Sequence, residues 1–205
     1  MRIDPAKMDW RDAHELMTAA VSPRPIAFVS TVDENGAYNL APFSFYSILC
    51  LGPVMVGFGI GPRKGGGKKD TLLNIEYAKD FVINSVTEEI AEKMNMTSGE
   101  YSRDVDEFQV AGLTPLKSEF VKSPRVAESP FNLECRLDRI LEFRTPTRLN
   151  HFVIGQVICV HVHDEIWTKE GVDLSKLSEI GRMGGDFYCR TRDKFEMKRP
   201  QGPFK

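Results

Sequence analysis

The chain has 205 residues, and its 27 Lys and Arg residues nearly balance its 29 Asp and Glu residues, which leaves a formal net charge of −2. A chain of this length buries roughly 70% of the surface that its unfolded form exposes, so a single domain over residues 1–205 is the default prediction. Nucleic-acid-binding domains are usually far more basic, and no apolar run approaches the ~18 residues of a membrane-spanning helix, so neither class is expected.

The first part of the chain predicts one helix followed by strands. An amphipathic helix is expected around residues 10–20, and the apolar run in PRPIAFVST predicts a buried strand from Ile26 onward. The pair Asn35-Gly36 favours a tight hairpin turn, so residues 37–46 are expected to return as a second strand. A third strand is predicted over residues 53–60, which makes the three strands an antiparallel meander.

Two helices and one strand are predicted between residues 70 and 96. The first helix is expected to have Asp70 or Thr71 as its N-cap. Its apolar side is expected to carry Leu72, Leu73, Tyr77 and Ala78. Residues 81–86 (FVINSV) predict a strand, and Thr87 is expected to cap a helix over TEEIAEKMNM. Residues 97–130 are rich in turns and charges and predict no regular element.

The last predicted elements are two long strands. In FNLECRLD apolar and polar residues alternate, which indicates a half-buried strand. Phe131, Leu133, Cys135 and Leu137 are predicted to face one way, with Asn132, Glu134, Arg136 and Asp138 facing the other. Residues 151–163 predict its hairpin partner across TPTRLN. The pattern favours a mainly β (α+β) fold, a closed or nearly closed antiparallel barrel with a few inserted helices, over a Rossmann fold, whose glycine fingerprint is missing.

The loop of residues 61–70, GPRKGGGKKD, is the first candidate site. Its glycines allow backbone N–H groups to approach an anion, and the following helix start adds unpaired N–H groups and partial positive charge. It is not a P-loop, because Pro62 stands where that motif needs glycine and Lys69 where it needs a hydroxyl. A solvated basic surface loop is the alternative interpretation.

Two further segments are candidates for a binding site. The run NLAPFSFYS, residues 39–47, offers backbone amides and Ser44 beside aromatic faces, which suits a planar heterocycle such as isoalloxazine. In LSEIGRMGGDFYCR, residues 177–190, Arg182 stands between glycines and would suit a phosphate or carboxylate of a second substrate. The alternatives are an edge strand with core aromatics and a simple turn.

Metal ligands and reactive thiols give weaker signals. His161, His163 and Glu165 alternate and would project from one strand face, a plausible metal-binding spacing, although a solvated strand end explains it as well. The four cysteines are widely spaced and form no CxxC, so neither a zinc ribbon nor a thioredoxin-type redox pair is supported. GxSxG, SxxK and HExxH are also missing, which leaves hydrolase and zincin interpretations without their usual motifs.

Seven segments, taken in order, carry a resemblance that covers nearly the whole chain. They are SPRPIAFVST (22–31), NLAPFSFYS (39–47), KKDTLLNI (68–75), FVINSV (81–86), ESPFNLECRL (128–137), HFVIGQV (151–157) and IGRMGGDFY (180–188). Together they resemble the flavin reductase-like, FMN-binding split-barrel proteins, especially the flavoredoxin-like branch. The resemblance implies an antiparallel split β-barrel that forms a homodimer and binds one FMN per subunit near the dimer interface.

The resemblance also assigns roles by position. Ser30 and Thr31 are expected to contact the ribityl chain or phosphate. The ring cradle is expected to comprise Asn39, Ala41, Pro42, Phe43, Ser44 and Phe45. Lys69, Asp70 and Thr71 match the phosphate-side motif, and the expansion RKGGGKK leaves Lys68 able to exchange roles with Lys69. Arg182, Gly184 and Tyr188 are expected to close over the flavin.

The function that the resemblance implies is an FMN-binding flavoprotein oxidoreductase, namely an NAD(P)H:flavin reductase in which hydride passes from NADH or NADPH to flavin N5. No catalytic side chain is expected, because the cofactor carries the chemistry. One alternative is a flavoredoxin-type electron carrier with tightly bound FMN and a redox partner protein, and a second is a metal-binding barrel using His161, His163 and Glu165. The charged first residues show no secretory signal, so a cytoplasmic location is expected, with neither nucleic acid nor membrane as partner.

Overall fold

The structure is a computed structural model that describes residues 1–145, 147–200 and 202. In this part of the chain the α-helices are α1 (Trp10–Ala20), α2 (Asp70–Ala78), α3 (Ala91–Met96) and α4 (Glu107–Ala111), and short 3-10 helices span Pro5–Lys7, Glu88–Ile90 and Asp164–Ile166. The strands are β1 (Ala27–Val32), β2 (Tyr38–Phe43), β3 (Tyr46–Leu51), β4 (Val54–Ile60), β5 (Asp80–Asn84), β6 (Pro115–Leu116), β7 (Arg125–Val126), β8 (Phe131–Arg144), β9 (Leu149–Val162), β10 (Trp167–Thr168), β11 (Gly171–Val172), β12 (Ile180–Arg182) and β13 (Tyr188–Arg190). None of the helices in the described ranges is both long and apolar enough to cross a membrane.

Seven of these strands form one antiparallel sheet in the order β2-β1-β5-β8-β9-β4-β3. The two outer strands, β2 and β3, are consecutive in the chain and are separated only by Ser44 and Phe45. The sheet therefore returns on itself at this bend, where the Gly59 amide of β4 donates to the Phe45 carbonyl at 2.8 Å. The prediction of a mainly β, nearly closed antiparallel barrel with a few inserted helices is confirmed.

The barrel interior is filled by aromatic rings. Phe58 of β4 lies between Phe43 and Phe81, with ring centroids 5.3 and 5.4 Å apart, and α2 adds Leu72 and Ile75 to the same core. A second apolar cluster packs α3 and α4 against the other face of β1 and β2. Burying such a side chain stabilises the fold by about 1.5–3 kcal/mol. Because β1 is buried on both faces, it is central to the packing.

The predicted three-stranded meander is wrong after its first hairpin. The strand predicted over residues 37–46 ends at Phe43, and a separate strand, β3, begins at Tyr46. The strand predicted over 53–60 pairs with β3 and β9 rather than with the second strand. The chain changes partner at Ser44 and Phe45, where no glycine, asparagine or aspartate marks a turn.

The predicted helix starts also need correction. The N-cap of α2 is Lys69 rather than Asp70 or Thr71, and its side chain makes no capping hydrogen bond. The buried side of α2 carries Thr71, Leu72, Asn74 and Ile75, whereas Tyr77 is exposed. Polar residues lie on this side because Asn74 donates to the Thr31 hydroxyl of β1 at 3.1 Å. Thr87 also caps no helix with its side chain: it precedes a 3-10 turn, and α3 follows from Ala91.

The polar face of β8 differs from its prediction as well. Asn132 and Glu134 are buried, although their alternation with apolar residues predicted exposure to solvent. The segment between β6 and β8 covers them: the Asn132 amide donates to the Val126 carbonyl at 3.0 Å, and the Glu119 and Phe120 amides donate to the Glu134 carboxylate. The fold therefore buries polar groups on the face of this strand that the alternation predicted to meet solvent.

Candidate functional site

A groove runs beside β2 from the start of α2 to the β12–β13 hairpin. It consists of a cleft of ≈ 80 Å³ next to α2 and one of ≈ 240 Å³ next to the hairpin. Pro42 and Ser98 line both clefts, so the two adjoin, and together we call them the β2 groove. Its two ends differ in chemistry.

The end at α2, which we call the cationic end, carries Lys69 and Arg63 beside the acidic residues Asp70, Glu100 and Glu107. Lys69 stands at the N-cap, where the first-turn amides lack intrahelical partners and the helix dipole adds partial positive charge. Burial lowers the pKa of Lys69, and nearby Arg63 lowers it further, although Glu100 acts in the opposite direction. Arg63 pairs with Asp70 at 2.9 Å and donates to the Tyr101 carbonyl at 2.8 Å. An anion bound here would stabilise the charged form of Lys69.

A buried hydrogen-bond network fixes this end from below. The Thr71 hydroxyl donates to Asn39 Oδ1 at 2.7 Å, and Asn39 Nδ2 donates to Glu107 Oε1 at 2.9 Å. The other carboxylate oxygen of Glu107 accepts from the Leu40 amide at 3.1 Å. Burial raises the pKa of Glu107. The network ties the start of α2 and α4 to β2, so the cationic end has a rigid base.

The other end presents planar groups. The guanidinium of Arg182 lies 4.5 Å from the ring centroid of Tyr188, and its Nη2 donates to the Gly185 carbonyl at 2.6 Å. The Tyr188 hydroxyl is 3.3 Å from Asn95 Oδ1 of α3. Opposite them lies the backbone of residues 42–44, at the end of β2. This arrangement suits a flat, partly polar ligand.

A buried arginine supports this end. Arg24 is only 6% exposed, and its guanidinium donates to the carbonyls of Thr18, Val21 and Met183 at 2.7, 2.9 and 2.9 Å. Its Nε is 3.4 Å from the Ser44 hydroxyl. Arg24 thereby joins α1, the end of β2 and the segment after β12. The sequence analysis did not single it out, because an arginine between two prolines carries no motif.

Ten of the predicted site residues line the β2 groove. They are Asn39, Ala41, Pro42, Phe43, Ser44, Lys69, Asp70, Thr71, Arg182 and Tyr188. The structure thus brings together residues from three distant segments that the sequence analysis assigned to one site.

Ser30 and Thr31 do not reach the groove. Both are fully buried, and the Ser30 hydroxyl donates to the Pro124 carbonyl and accepts from Asn84. Thr31 accepts from Asn74 under the cationic end. Both faces of β1 are covered, so these two side chains support the groove from beneath instead of lining it as the predicted ribityl or phosphate contacts would require.

Lys68, Phe45 and Gly184 also lie outside the β2 groove. Lys68 pairs with Glu76 at 2.5 Å and lines a neighbouring cleft, which favours Lys69 as the lysine of the groove. Phe45 is half exposed, and its ring lies 6.0 Å from that of His14. The Gly184 backbone packs against Ala19 of α1.

Several groove residues were missed by the sequence analysis. Residues 97–101 line the cationic end, and Met94 and Asn95 line the other. The Ser98-Gly99 pair after a helix was the available signal, but such pairs also mark ordinary turns. Residues 97–101 lie at the start of the region, residues 97–130, for which no regular element was predicted.

The predicted metal set of His161, His163 and Glu165 is wrong. His161 Nε2 lies 2.6 Å from Glu134 Oε1, whereas His163 Nε2 lies 3.0 Å from the Ala127 carbonyl. Glu165 belongs to the 3-10 helix that follows β9. The strand ends at Val162, so the assumed alternation does not extend to residue 165.

The fold and the groove define an antiparallel split barrel of the flavin reductase type. Residues 19–172 match the family described as flavin reductase like domain, and the chain belongs to this family. The predicted resemblance is thereby confirmed. Among its relatives, an uncharacterized protein of Aquifex aeolicus is 36% identical over 191 residues, which are 93% of this chain and 95% of that protein. The uncharacterized protein BH2278 of Halalkalibacterium halodurans is 33% identical over 98% of this chain and 97% of its own length.

Solved structures share this fold over nearly the whole chain. Nitrilotriacetate monooxygenase component B from Bacillus cereus superposes with a TM-score of 0.90 and 28% identity, covering 96% of this chain and 98% of that one. The 2-nitrobenzoate 2-nitroreductase NbaA of Pseudomonas fluorescens superposes with a TM-score of 0.87 and 28% identity, covering 98% of this chain and 96% of that one. Flavoredoxin of Desulfovibrio vulgaris superposes with a TM-score of 0.76 over 87% of this chain and 91% of that one. Its identity is 22%, so this similarity supports the fold alone.

Proposed function

We propose that this protein binds FMN in the β2 groove and acts as an oxidoreductase that reduces flavin with NADH or NADPH. The observation that carries the proposal is the single groove with Lys69 and the start of α2 at one end and the backbone of residues 42–44 facing Tyr188 at the other. The family and two similar structures, one named as a nitroreductase and one as a monooxygenase component, support an oxidoreductase.

The residues of the cationic end fit a phosphate monoester. Lys69 supplies a positive charge, and the first-turn amides of α2 supply donors. Asp70 would repel a dianion, but its ion pair with Arg63 offsets that charge. We therefore place the phosphate at Lys69 rather than at Lys68.

The opposite end fits a planar ring. Backbone groups of residues 42–44 and the Ser44 hydroxyl would orient the polar edge of the ring, while Arg182 stacked on Tyr188 would cover a face and exclude water. When bound, FMN supplies the hydride and electron chemistry, and the chain supplies position and electrostatics. The proposal requires no acid–base side chain.

We further propose that the protein is a homodimer formed through β3. This outer strand exposes Ile48, Leu49 and Leu51, and the adjacent β4 exposes Val54, all with 40% or more of their surface accessible. Four exposed apolar side chains on two neighbouring strands suit an interaction site. Since β3 follows directly after the bend at Ser44, a second copy on this strand would lie next to the ring end of the groove.

The test is an absorption spectrum of the purified protein, followed by anaerobic addition of NADH or NADPH. We expect a stoichiometric flavin spectrum that is bleached by at least one nicotinamide and turnover when an acceptor is supplied. A flavin-loaded protein that oxidises neither nicotinamide would instead be a carrier, and a protein that binds no FMN would refute the proposal.

A blocking variant locates the flavin. Ser98 is exposed and lies where the two clefts meet, so Ser98→Trp is expected to fill the junction and abolish FMN binding in a fluorescence titration. Ser175→Trp, at another exposed serine, is the matched control and should bind normally. Equal affinities for the two variants would place the flavin elsewhere.

A further inference from the structure

A group of three metal-ligating side chains lies on the β8–β9 hairpin, outside the β2 groove. Glu134 of β8 is the direct Cα partner of Cys159 of β9, and His161 is two residues further along the same face of β9. The register shifts between Glu134 and Cys135: Glu134 pairs with Cys159 and Cys135 pairs with Val157. Ile158 of β9 therefore has no partner on β8, which is a β-bulge. Such bulges re-aim side chains, and they are frequent beside functional sites.

The three ligand atoms converge on one point. Cys159 Sγ lies 3.5 Å and Glu134 Oε1 lies 2.6 Å from the same nitrogen, His161 Nε2, and all three atoms lie within 4.8 Å of one another. A nucleophile–base–acid relay needs both imidazole nitrogens, one toward each partner. Two partners on a single nitrogen therefore do not make a relay. The three atoms are instead close enough together to bind one cation between them.

The charges of the group favour a divalent cation. Glu134 is fully buried, and the Glu119 and Phe120 amides donate to its carboxylate at 2.8 and 2.7 Å. A dication between the carboxylate and a thiolate would neutralise both charges.

We propose that Glu134, Cys159 and His161 form a binding site for a thiophilic divalent cation, with Zn²⁺ as the favoured ion and solvent as its fourth ligand. The sulfur-to-nitrogen separation of 3.5 Å matches an edge of a tetrahedron with bonds of about 2.3 Å to sulfur and about 2.0 Å to nitrogen. Binding would break the hydrogen bond between Glu134 and His161, the imidazole proton would move from Nε2 to Nδ1, and the thiol proton would pass to solvent.

The ion would join three parts of the fold. Glu134 and the two β9 ligands belong to neighbouring strands, and the amides that orient the Glu134 carboxylate come from the segment between β6 and β7. These amides act as the outer-shell partners that hold a metal-ligating carboxylate in place. None of the three ligands lines the β2 groove, so this site is independent of the flavin.

The test uses the full-length protein, stripped with a chelator and titrated with Co²⁺, whose visible and thiolate charge-transfer bands report tetrahedral geometry and a sulfur ligand. We expect one Co²⁺ per chain, a thiolate band, and displacement by Zn²⁺. Cys159→Ser should abolish that band and weaken Zn²⁺ binding at least tenfold, and His161→Gln should weaken it similarly. Cys50→Ser and His163→Gln, which change a cysteine and a histidine outside the cluster, are the matched controls and should bind like the wild type.

Three results would overturn the proposal: no thiolate band in the wild type, an unchanged band in Cys159→Ser, or a band that disappears in Cys50→Ser. Far-ultraviolet circular dichroism and the unfolding midpoint of each stripped variant show whether it is folded. If His161→Gln does not fold, Cys159→Ser decides alone, because serine preserves the size of the side chain. FMN binding should be the same in the stripped and Zn²⁺-loaded proteins, so this test and the flavin test fail separately.

Discussion

Two adjacent lysines at the start of α2 have different surroundings. Lys69 is partly buried at the N-cap and lines the β2 groove, whereas Lys68 pairs with Glu76 at 2.5 Å. Lys69→Ala is therefore expected to raise the Kd for FMN about 10- to 100-fold, because a charge-assisted hydrogen bond contributes about 1.5–3 kcal/mol. Titration of flavin fluorescence measures the effect.

Lys68→Ala is the matched control, since it removes the same charge one residue away. We expect its Kd to stay within about threefold of the wild type, because it removes only long-range attraction, which salt screens. If Lys68→Ala weakens binding more than Lys69→Ala, the phosphate is held by the other lysine. The sequence alone could not show which of the two lysines faces the groove, because a glycine-rich loop has no periodicity. The direction of each side chain, which the structure gives, distinguishes them.

Asp33, in the turn between β1 and β2, makes stability depend on pH. Burial would raise the pKa of Asp33, but the amides of Asn35 and Ala37, which donate to its Oδ1 at 2.8 and 2.9 Å, hold it below its ordinary value. The carboxylate is thus favoured by folding. Its stabilisation is complete above the unfolded-state value of about 3.9 and is lost as the pH falls through the lower folded-state value.

Asp33→Asn is expected to lower the free energy of unfolding by about 1 kcal/mol at pH 7, since the amide oxygen still accepts both hydrogen bonds but without the charge. The difference from the wild type should disappear below the folded-state pKa of Asp33. Urea unfolding at neutral and acidic pH measures both values. A difference that stays constant with pH would contradict the assigned role of the charge.

Among the elements, β9 contains a position that only glycine fits. A Cβ on Gly155 would lie 2.7 Å from Cε1 of Phe81 and 3.1 Å from the Arg136 carbonyl. Phe81 is fully buried in the barrel interior and cannot move without disturbing its neighbours. Gly155→Ala is expected to cost about 1–3 kcal/mol of stability by overpacking, measured as a lower urea midpoint.

Gly61→Ala is the control for this substitution, because a Cβ there meets nothing closer than the Arg148 side chain at 3.5 Å. Its midpoint should match the wild type. A similar loss in both variants would indicate a general cost of replacing glycine in this chain rather than a clash with Phe81.

Local signals predicted the elements where local forces decide them. The helix predicted around residues 10–20 matches α1, because its amphipathic pattern is contained in the segment itself; the structure adds a side-chain cap from Asp9. The break between β2 and β3 was missed, because the two strands differ only in their pairing partners, β1 and β4. Pairing partners depend on the closure of the sheet, which no short segment encodes.

The β2 groove shows the same limit over longer distances. Lys69 and residues 42–44 were assigned to one site through their motifs, but residues 97–101 and Arg24 were not. The first group carries unusual glycine, lysine and proline patterns, whereas the second owes its place to the packing of α3 and α1 against the barrel. Binding residues supplied only by packing leave no pattern in the sequence.

The proposed dimer can be tested on the exposed face of β3. Leu51 is 76% exposed on this face, and Leu174, outside it, is 63% exposed. Specific interfaces bury about 1,200–2,000 Å² with an apolar centre, so a charge there leaves an unpaired, desolvated group. Leu51→Glu is therefore expected to shift the mass in light scattering from twice the chain mass to the single-chain value of 23.2 kDa. Leu174→Glu should remain dimeric. If both variants keep the doubled mass, β3 is not the interface, and a wild type of single-chain mass would refute the dimer itself.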